Sequence, residues 1–549
     1  MKTPLLKPAG RLQGWILITL VALAAYLPTL RNGFVWDDDT FLTDNALIKA
    51  PDGLRRFWLT TEPPDYWPVT STTLWAEWRL WGRNATGYHV TNLLLHIAEA
   101  GLLWGILRRL RAPGALFAAL LFAAHPVNVE SVAWIAQRKN LMAMLFALGT
   151  VWFFLDAEER PQSRRAYALS LGAFLLALLS KGSVATLPLV LLGIIAWRRR
   201  PARRDLLRLA PFLGLAAALA GVNVWFAHHT TSEIVRHAGP LERLLGAGAV
   251  VWFYLGKALW PFPLIFVYPQ WRISAGDALW YVPLAAALAA TVLLFRWRRK
   301  SPFARAALYA WLYFGVMLVP VMGFTDVYFM KYSLVADHYQ HLALIGVVAL
   351  AAAAWAAFLG ERARLPVAAA VIALLAALTW RQASTYRDSE TLYRSILARN
   401  PDAWIAHNNL VNILNSGEHP RLPEAVEQLR EALRLRPQDA RNWNNLGVAL
   451  VRLDRPAEAA APYREAVRLQ PDSVEFNYNL GLDLRQIGRS GEAIPYFQNV
   501  VQLRPRFAQG HIALALALWD AGRRQEAVAE RNKATALQPM MPDFSGYGR

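Results

Sequence analysis

The sequence predicts an all-α chain in two parts, a polytopic transmembrane helical bundle followed by an α-solenoid. Three observations carry this. The 549 residues are 55% hydrophobic and only 18% charged, where soluble domains carry roughly a quarter charged residues. Apolar runs long enough to cross a bilayer recur through residues 1–380, separated by short charged segments. Beyond residue 381 these runs stop, and prolines at 401, 437, 471, 505 and 539 recur at intervals of 36, 34, 34 and 34.

The chain has no Cys, which excludes disulfide frameworks, thiolate zinc sites and thiol nucleophiles. The net charge of +19 would ordinarily suggest nucleic acid, but its placement argues otherwise. Residues 1–380 carry 36 Lys+Arg against 20 Asp+Glu, and residues 381–549 carry 22 against 19. The excess flanks the apolar runs, as the positive-inside rule requires, so the partner is a lipid bilayer and no nucleic acid is expected.

Eleven spans are expected, near 12–30, 89–107, 114–124, 140–155, 166–180, 183–197, 206–227, 279–295, 303–323, 341–359 and 365–380. Lys2, Lys7 and Arg11 give the first span the basic start of a signal peptide, but no small-residue cleavage pattern follows Tyr26-Leu-Pro28. It reads as a helix of the mature protein. With the N-terminus inside, clusters such as Arg198-Arg199-Arg200 and Arg298-Arg299-Lys300 fall on the inner side. Counting residues 244–268 as a full span would reverse this, so they read as an interfacial or re-entrant element ending at Pro261-Phe-Pro263. An odd count then places everything after Trp380 outside, and the longest outer loop is 31–88.

In the second part, Trp443, Leu446, Gly447, Leu450, Ala459, Tyr463, Ala466 and Pro471 occupy the positions of a tetratricopeptide repeat. Leu480, Gly481, Leu484, Ala493, Phe497 and Pro505 repeat the pattern, and Leu514, Leu518, Ala527, Ala534 and Pro539 repeat it again. The first unit, from Trp404, carries a two-residue insertion around Ser416–Pro423. The expected organisation is a membrane domain over 1–380, a connecting half-repeat over 381–403, four repeats over 404–540 and a tail over 541–549. Asn409, Asn445 and Asn479 share one position on successive first helices, which line the concave face of such a solenoid. A ladder of amides suits extended polypeptide, because each offers both donor and acceptor. Hydrogen bonding within each repeat is the alternative.

Chemistry is expected on the outer face. The first outer loop opens with Trp36-Asp37-Asp38-Asp39, and three adjacent carboxylates need cations, a metal or donors to remain ionised together. Capping of a juxtamembrane helix by Asp39 is the bland reading. His89, Asn92, His96 and Glu99 lie on one face of the second span, where interhelical hydrogen bonding competes with metal ligation. His125-Pro126-Val-Asn-Val-Glu130 runs through a tight outer turn to Arg138 and Lys139, whose charge runs against the inner bias and suits a phosphate. Lys181 invites the same reading, with interfacial snorkelling the alternative for all three cations. Asp337-His338-Tyr339 precedes the tenth span, where His338 suits phosphate or acid–base work and helix capping is the alternative for Asp337.

These segments and their order resemble the transmembrane-and-tetratricopeptide O-mannosyltransferases and their prokaryotic relatives, in the GT-C superfamily of integral-membrane glycosyltransferases. The resemblance rests on the acidic pair, Tyr88-His-Val-Thr-Asn-Leu-Leu-Leu-His96, His125-Pro-Val-Asn-Val-Glu130 with Arg138, Leu179-Ser-Lys181 and Ala336-Asp-His-Tyr339, followed by the repeats. It implies a polyprenyl-phosphate-linked sugar as donor and a Ser/Thr hydroxyl of an exported protein as acceptor, the repeats binding that protein. It implies Asp37 or Asp38 as general base and His89, His125, Glu130, Arg138, Lys181, Asp337, His338 and Tyr339 around the donor phosphate and sugar. The chemistry admits Mg or Mn at the leaving phosphate. The implied location is the bacterial inner membrane, with active site and repeats on the periplasmic face. The family's Tyr-Arg-Pro stands here as Tyr66-Trp67-Pro68, its acidic-Arg-Tyr as Asp337-His338-Tyr339, and the Glu that often follows the fifth-span Lys as Gly182. The rival classes are a lipid-linked saccharide ligase acting on glycolipid or polysaccharide, and a non-enzymatic membrane scaffold displaying the repeats.

Overall fold

The computed structural model describes residues 10–230, 235–416 and 419–538. Lys2, Lys7, Pro539, the tail 541–549 and two residues of the 416–423 insertion lie outside the described residues. Among the described residues every regular element is helical, and the chain divides into two compact units, Met1–Ser395 and Ile396–Arg549.

Among the described residues of the first unit, seven helices have the length and hydropathy to cross a membrane: Arg11–Arg31, Ala85–Arg109, Ile135–Glu159, Arg203–Phe226, Ala278–Trp297, Pro302–Val321 and Glu361–Ser384. The pair Ala115–Ala124 and Pro126–Ala133 passes the same test together but is bent by 51°. Proline lacks an N–H and disfavours helical backbone in the residue before it, which breaks the helix at His125. Gly182–Arg198 and Leu344–Phe358 are apolar but shorter, as is helix Arg164–Ser180. Among the described residues, seven helices, or eight with the bent pair, meet the length and composition of a span, against the eleven expected. Ala278–Trp297 has no buried residue although it is strongly apolar, with Leu279, Val282 and Leu288 at least 60% exposed. Such a helix is solvated by lipid. Pro240–Leu259, from the segment expected to be interfacial or re-entrant, is amphipathic: Leu245, Val250, Tyr254 and Ala258 are buried while Leu241, Leu244 and Leu259 are exposed.

The long loop after the first helix folds into short helices, Ala46–Lys49, Gly53–Leu59 and Pro68–Trp81. Leu42, Leu47, Ile48, Phe57 and Leu74 form a small core with Tyr88 and Ile135. The loop is thereby fastened to the segment that follows the bend. That segment differs from expectation. Residues 117–144 are buried without interruption, so His125–Lys139 is an internal stretch at a bend and not an exposed turn.

The second unit stacks four helix pairs: Trp404–Asn415 with Leu422–Leu435, Ala440–Arg452 with Pro456–Leu469, Val474–Gln486 with Ser490–Leu503, and Ala508–Asp520 with Arg524–Leu537. The small–large code explains their closeness. A Cβ on Gly447 would lie 2.6 Å from the Tyr463 ring, and one on Gly481 2.6 Å from Phe497.

Candidate active site

The segment after the bend is held by a polar network that consumes several of the expected site residues. Arg138 is fully buried; its guanidinium donates to Asn92 Oδ1, to Glu77 Oε2 at 2.8 Å and to the Tyr88 carbonyl at 3.1 Å. A guanidinium satisfied this way ties the outer loop to the second span and is withdrawn from phosphate binding. His125 likewise serves the fold, with Nε2 3.0 Å from the Ala258 carbonyl and Nδ1 accepting from the Val127 N–H at 3.3 Å. His89 is fully buried in the second span. The stripe below it makes interhelical bonds: Asn92 Nδ2 to the Val132 carbonyl at 3.1 Å, His96 Nε2 to the Ala123 carbonyl at 3.2 Å, and Glu99 Oε2 with His341 Nε2 at 3.3 Å. Among the described residues no group of three or more His, Asp and Glu is arranged to hold a metal ion.

Several of the remaining residues converge beside this network, where it meets the long loop after the first helix. Asp37 accepts from Trp134 Nε1 at 3.0 Å. Burial pushes its carboxyl up to about 6, against the lowering influence of Lys139 and the Trp134 bond. Asp38 is only 1% exposed. Its two oxygens accept the backbone N–H groups of Val35 at 2.9 Å and Ala136 at 2.7 Å. Asp39, exposed, bonds its neighbour Thr40.

Lys139 is buried in an aromatic cage, its Nζ 4.3 Å from the Trp67 ring centroid, 4.9 Å from Phe41 and 5.8 Å from Trp134. Lys181 Nζ donates to Asn140 Oδ1 at 2.6 Å and lies 6.0 Å from the Tyr339 ring. Burial, reinforced by the charge of Lys139, lowers the Lys181 ammonium to about 7, while Glu130 and Asp65 act to raise it. Asp65 is raised by burial and lowered by Lys139 and Lys181, which places it in the same electrostatic field.

Behind the lysines, Glu130 holds His338 through both its N–H, at 2.9 Å, and its Nδ1, at 2.8 Å. Asp337 accepts from the Tyr268 hydroxyl at 2.9 Å. The Tyr339 hydroxyl is buried without a hydrogen-bond partner among the described residues. Asp37, Glu130, Lys181, His338 and Tyr339 thus gather around Trp134 and Lys139, while His125 and Arg138 do not. Asp65, Trp67, Glu77, Trp134 and Asn140 are partners the residue pattern did not single out. Only Trp67 carried a signal, standing where the resembled family has Arg.

In the repeats, Asn479 Nδ2 donates to Asn444 Oδ1 at 2.9 Å, and Asn442 Nδ2 to Asn408 Oδ1 at 2.8 Å. These amide bonds cross from one repeat to the next. Asn409, Asn445 and Asn479 are half-buried.

Comparison with known proteins places this geometry in context. Residues 62–228 match the family described as dolichyl-phosphate-mannose-protein mannosyltransferase, and residues 417–474 and 478–541 match tetratricopeptide repeats. A Caenorhabditis elegans protein O-mannosyl-transferase, F38B6.6, is 31% identical over 172 residues, covering 28% of this chain and 25% of that protein. Human protein O-mannosyl-transferase TMTC2 is 31% identical over 170 residues, 29% of this chain and 20% of that protein. The matches thus span a quarter or less of these relatives' length. A tetratricopeptide-repeat protein of known structure, YrrB, is 24% identical over 28% of this chain and 77% of its own, with a TM-score of 0.26. Part of the chain, residues 62–228, is therefore similar to the dolichyl-phosphate-mannose-protein mannosyltransferase family, residues beyond 417 are similar to tetratricopeptide repeats, and the relatives it matches over these partial lengths are protein O-mannosyl-transferases.

Proposed function

We propose that this chain is a GT-C-type membrane glycosyltransferase that moves a sugar from a polyprenyl-phosphate donor to Ser/Thr hydroxyls of exported proteins. The observation that carries this reading is the grouping of one half-buried carboxylate, Asp37, with two ammonium groups, buried Lys139 and half-buried Lys181. Asp37 takes the acceptor hydroxyl's proton as that oxygen attacks the anomeric carbon. The bond from the anomeric carbon to the phosphate oxygen breaks, and the phosphate leaves on its lipid with both electrons. Lys139 and Lys181 offset the charge that develops there. A single displacement inverts the anomeric configuration.

Asp38, with both oxygens committed to backbone N–H groups, holds the loop against Ala136 and is not the base. Lys139, caged by Trp67, supplies the cation that the resembled family carries at that position in its Tyr-Arg-Pro. Glu130 orients His338 beside the lysines, and Asn140 orients Lys181. The repeats bind the protein acceptor, with Asn409, Asn445 and Asn479 on the track, on the periplasmic side of a bacterial inner membrane.

Asp37→Asn tests the assignment. It should cut turnover by about 10²–10⁴-fold while donor binding persists, whereas Asp38→Asn should act chiefly by destabilising the loop. Intact-mass analysis of exported proteins, with and without the gene, reads the acceptor class. Loss of a hexose-sized increment is expected. An unchanged protein profile with an altered glycolipid or polysaccharide would reassign the enzyme as a ligase.

A further inference from the structure

The residue before Asp37 has a backbone that aromatic residues rarely adopt. Trp36 has φ of 56°, in the left-handed region where the Cβ of an L-residue crowds the following carbonyl oxygen. Such a conformation persists where its surroundings over-determine it, and it concentrates at functional sites. Here the surroundings are specific. The Trp36 indole packs on Phe266 at 4.9 Å between centroids, Tyr332 at 5.8 Å, Tyr393 at 5.9 Å and Phe329 at 6.2 Å. These rings come from three separate stretches of chain. Phe266 also meets Trp134 at 5.0 Å, and Trp134 is the hydrogen-bond donor to Asp37.

The backbone on either side is fixed independently. Asn32 Nδ2 donates to the Ala383 carbonyl at 3.0 Å and the Gly33 N–H to the Arg387 carbonyl at 2.8 Å. Beyond Trp36, Asp38 is held by Val35 and Ala136. With both flanks anchored, the change of chain direction falls on Trp36. Its reversal lets Asp37 reach Trp134 while the adjacent carboxylate turns back onto backbone.

We infer that Trp36 is a positioning residue for the transfer reaction, its clamped indole setting the direction in which Asp37 presents its carboxylate. This rests on the proposed role of Asp37. Glycine adopts φ > 0 freely, so Trp36→Gly keeps the turn available and removes the ring.

The test uses the full chain in lipid nanodiscs, with polyprenyl-phosphate mannose as donor and protein from a strain lacking the gene as acceptor. Trp36→Gly should lower kcat by about 10–100-fold, the range a misplaced reacting group costs, with the donor KM within about twofold. Trp36→Phe should recover most of that loss. Tyr332→Ala, at a half-buried ring, should reproduce it in part and stands in if Trp36→Gly does not fold. The acid limb of the rate profile should move down in Trp36→Gly, because a carboxylate released from its buried setting returns toward the ordinary range, and stay in Trp36→Phe. Wild-type kcat in Trp36→Gly or Tyr332→Ala alongside an inactive Asp37→Asn overturns the inference and leaves the base intact. A rise in KM at unchanged kcat also overturns it, making the ring a binding surface. Wild-type turnover in Asp37→Asn overturns both.

Discussion

Asp37 and Lys181 sit on opposite sides of their usual ranges, and this gives the proposed reaction a narrow working window. The base must be ionised, and burial has raised Asp37 to about 6. The ammonium must be protonated, and burial beside Lys139 has lowered Lys181 to about 7. Activity should therefore fall below about pH 6 as Asp37 gains its proton, and above about pH 7 as Lys181 loses its own. A bell-shaped profile of kcat/KM for the donor, with its maximum between these values, is expected in the full chain. Lys181→Arg should remove the alkaline limb, because a guanidinium stays protonated throughout. A profile flat across pH 5–9 would detach both residues from the chemistry. The same scale explains why Lys139 tolerates burial: three ring faces and nearby carboxylates take the place of water around its ammonium.

Among the helices, the repeats show how a local rule is kept in one unit and broken in the next. The helix position filled by Ala449 and Ala517 holds Asp483 in the third repeat. Its carboxyl is 2% exposed with neither oxygen hydrogen-bonded. Burial raises it to about 6, with Arg464 acting to lower it. The folded state thus holds this proton more tightly than the unfolded chain, so stability present below about pH 4 is lost as pH rises through about 6. Asp483→Ala should stabilise the unit at pH 7 by about 1–3 kcal/mol, the cost of an unsatisfied buried group. The gain should shrink at pH 5. Hydrogen-exchange protection along Val474–Gln486 in the full chain reads both. Slower exchange in the wild type than in the variant would mean that the carboxylate serves a partner of its own. In the membrane unit the corresponding broken rule is Pro126, which turns an apolar run into a bent pair and brings Trp134 and Lys139 to Asp37, Phe41 and Trp67 of the loop after the first helix.

For the molecule as a whole, the parity of crossings decides which side the repeats face. Eleven or seven crossings leave residue 381 opposite the N-terminus, and eight return it. The basic clusters favour an inner N-terminus, so the repeats are proposed to lie outside. In a chain without cysteine, Gly491→Cys offers a clean probe, because the position is exposed and a Cβ there meets nothing within 4 Å. Ser490 beside it is buried and bonded to Asp520. An impermeant maleimide should label Gly491→Cys in intact spheroplasts; labelling only after lysis would place the repeats inside.

Apolar runs, basic flanks and the 34-residue period were legible in the sequence because each is a local property, set by residues within one helix or one hairpin. Leu446, Gly447 and Tyr463 announce a repeat on their own, and the 244–268 stretch declared itself unlike its neighbours. The acidic pair was legible too, but not the division of labour within it. That depends on Ala136 donating to one carboxylate and Trp134 to the other across nearly a hundred residues. Arg138 and Lys139 looked interchangeable as adjacent cations. Folding gave Arg138 to Glu77, Asn92 and the Tyr88 carbonyl, and enclosed Lys139 in Phe41, Trp67 and Trp134. Desolvation and hydrogen-bond partnership are properties of the packed whole. Only the tertiary structure could decide which charge holds the fold and which is left for chemistry.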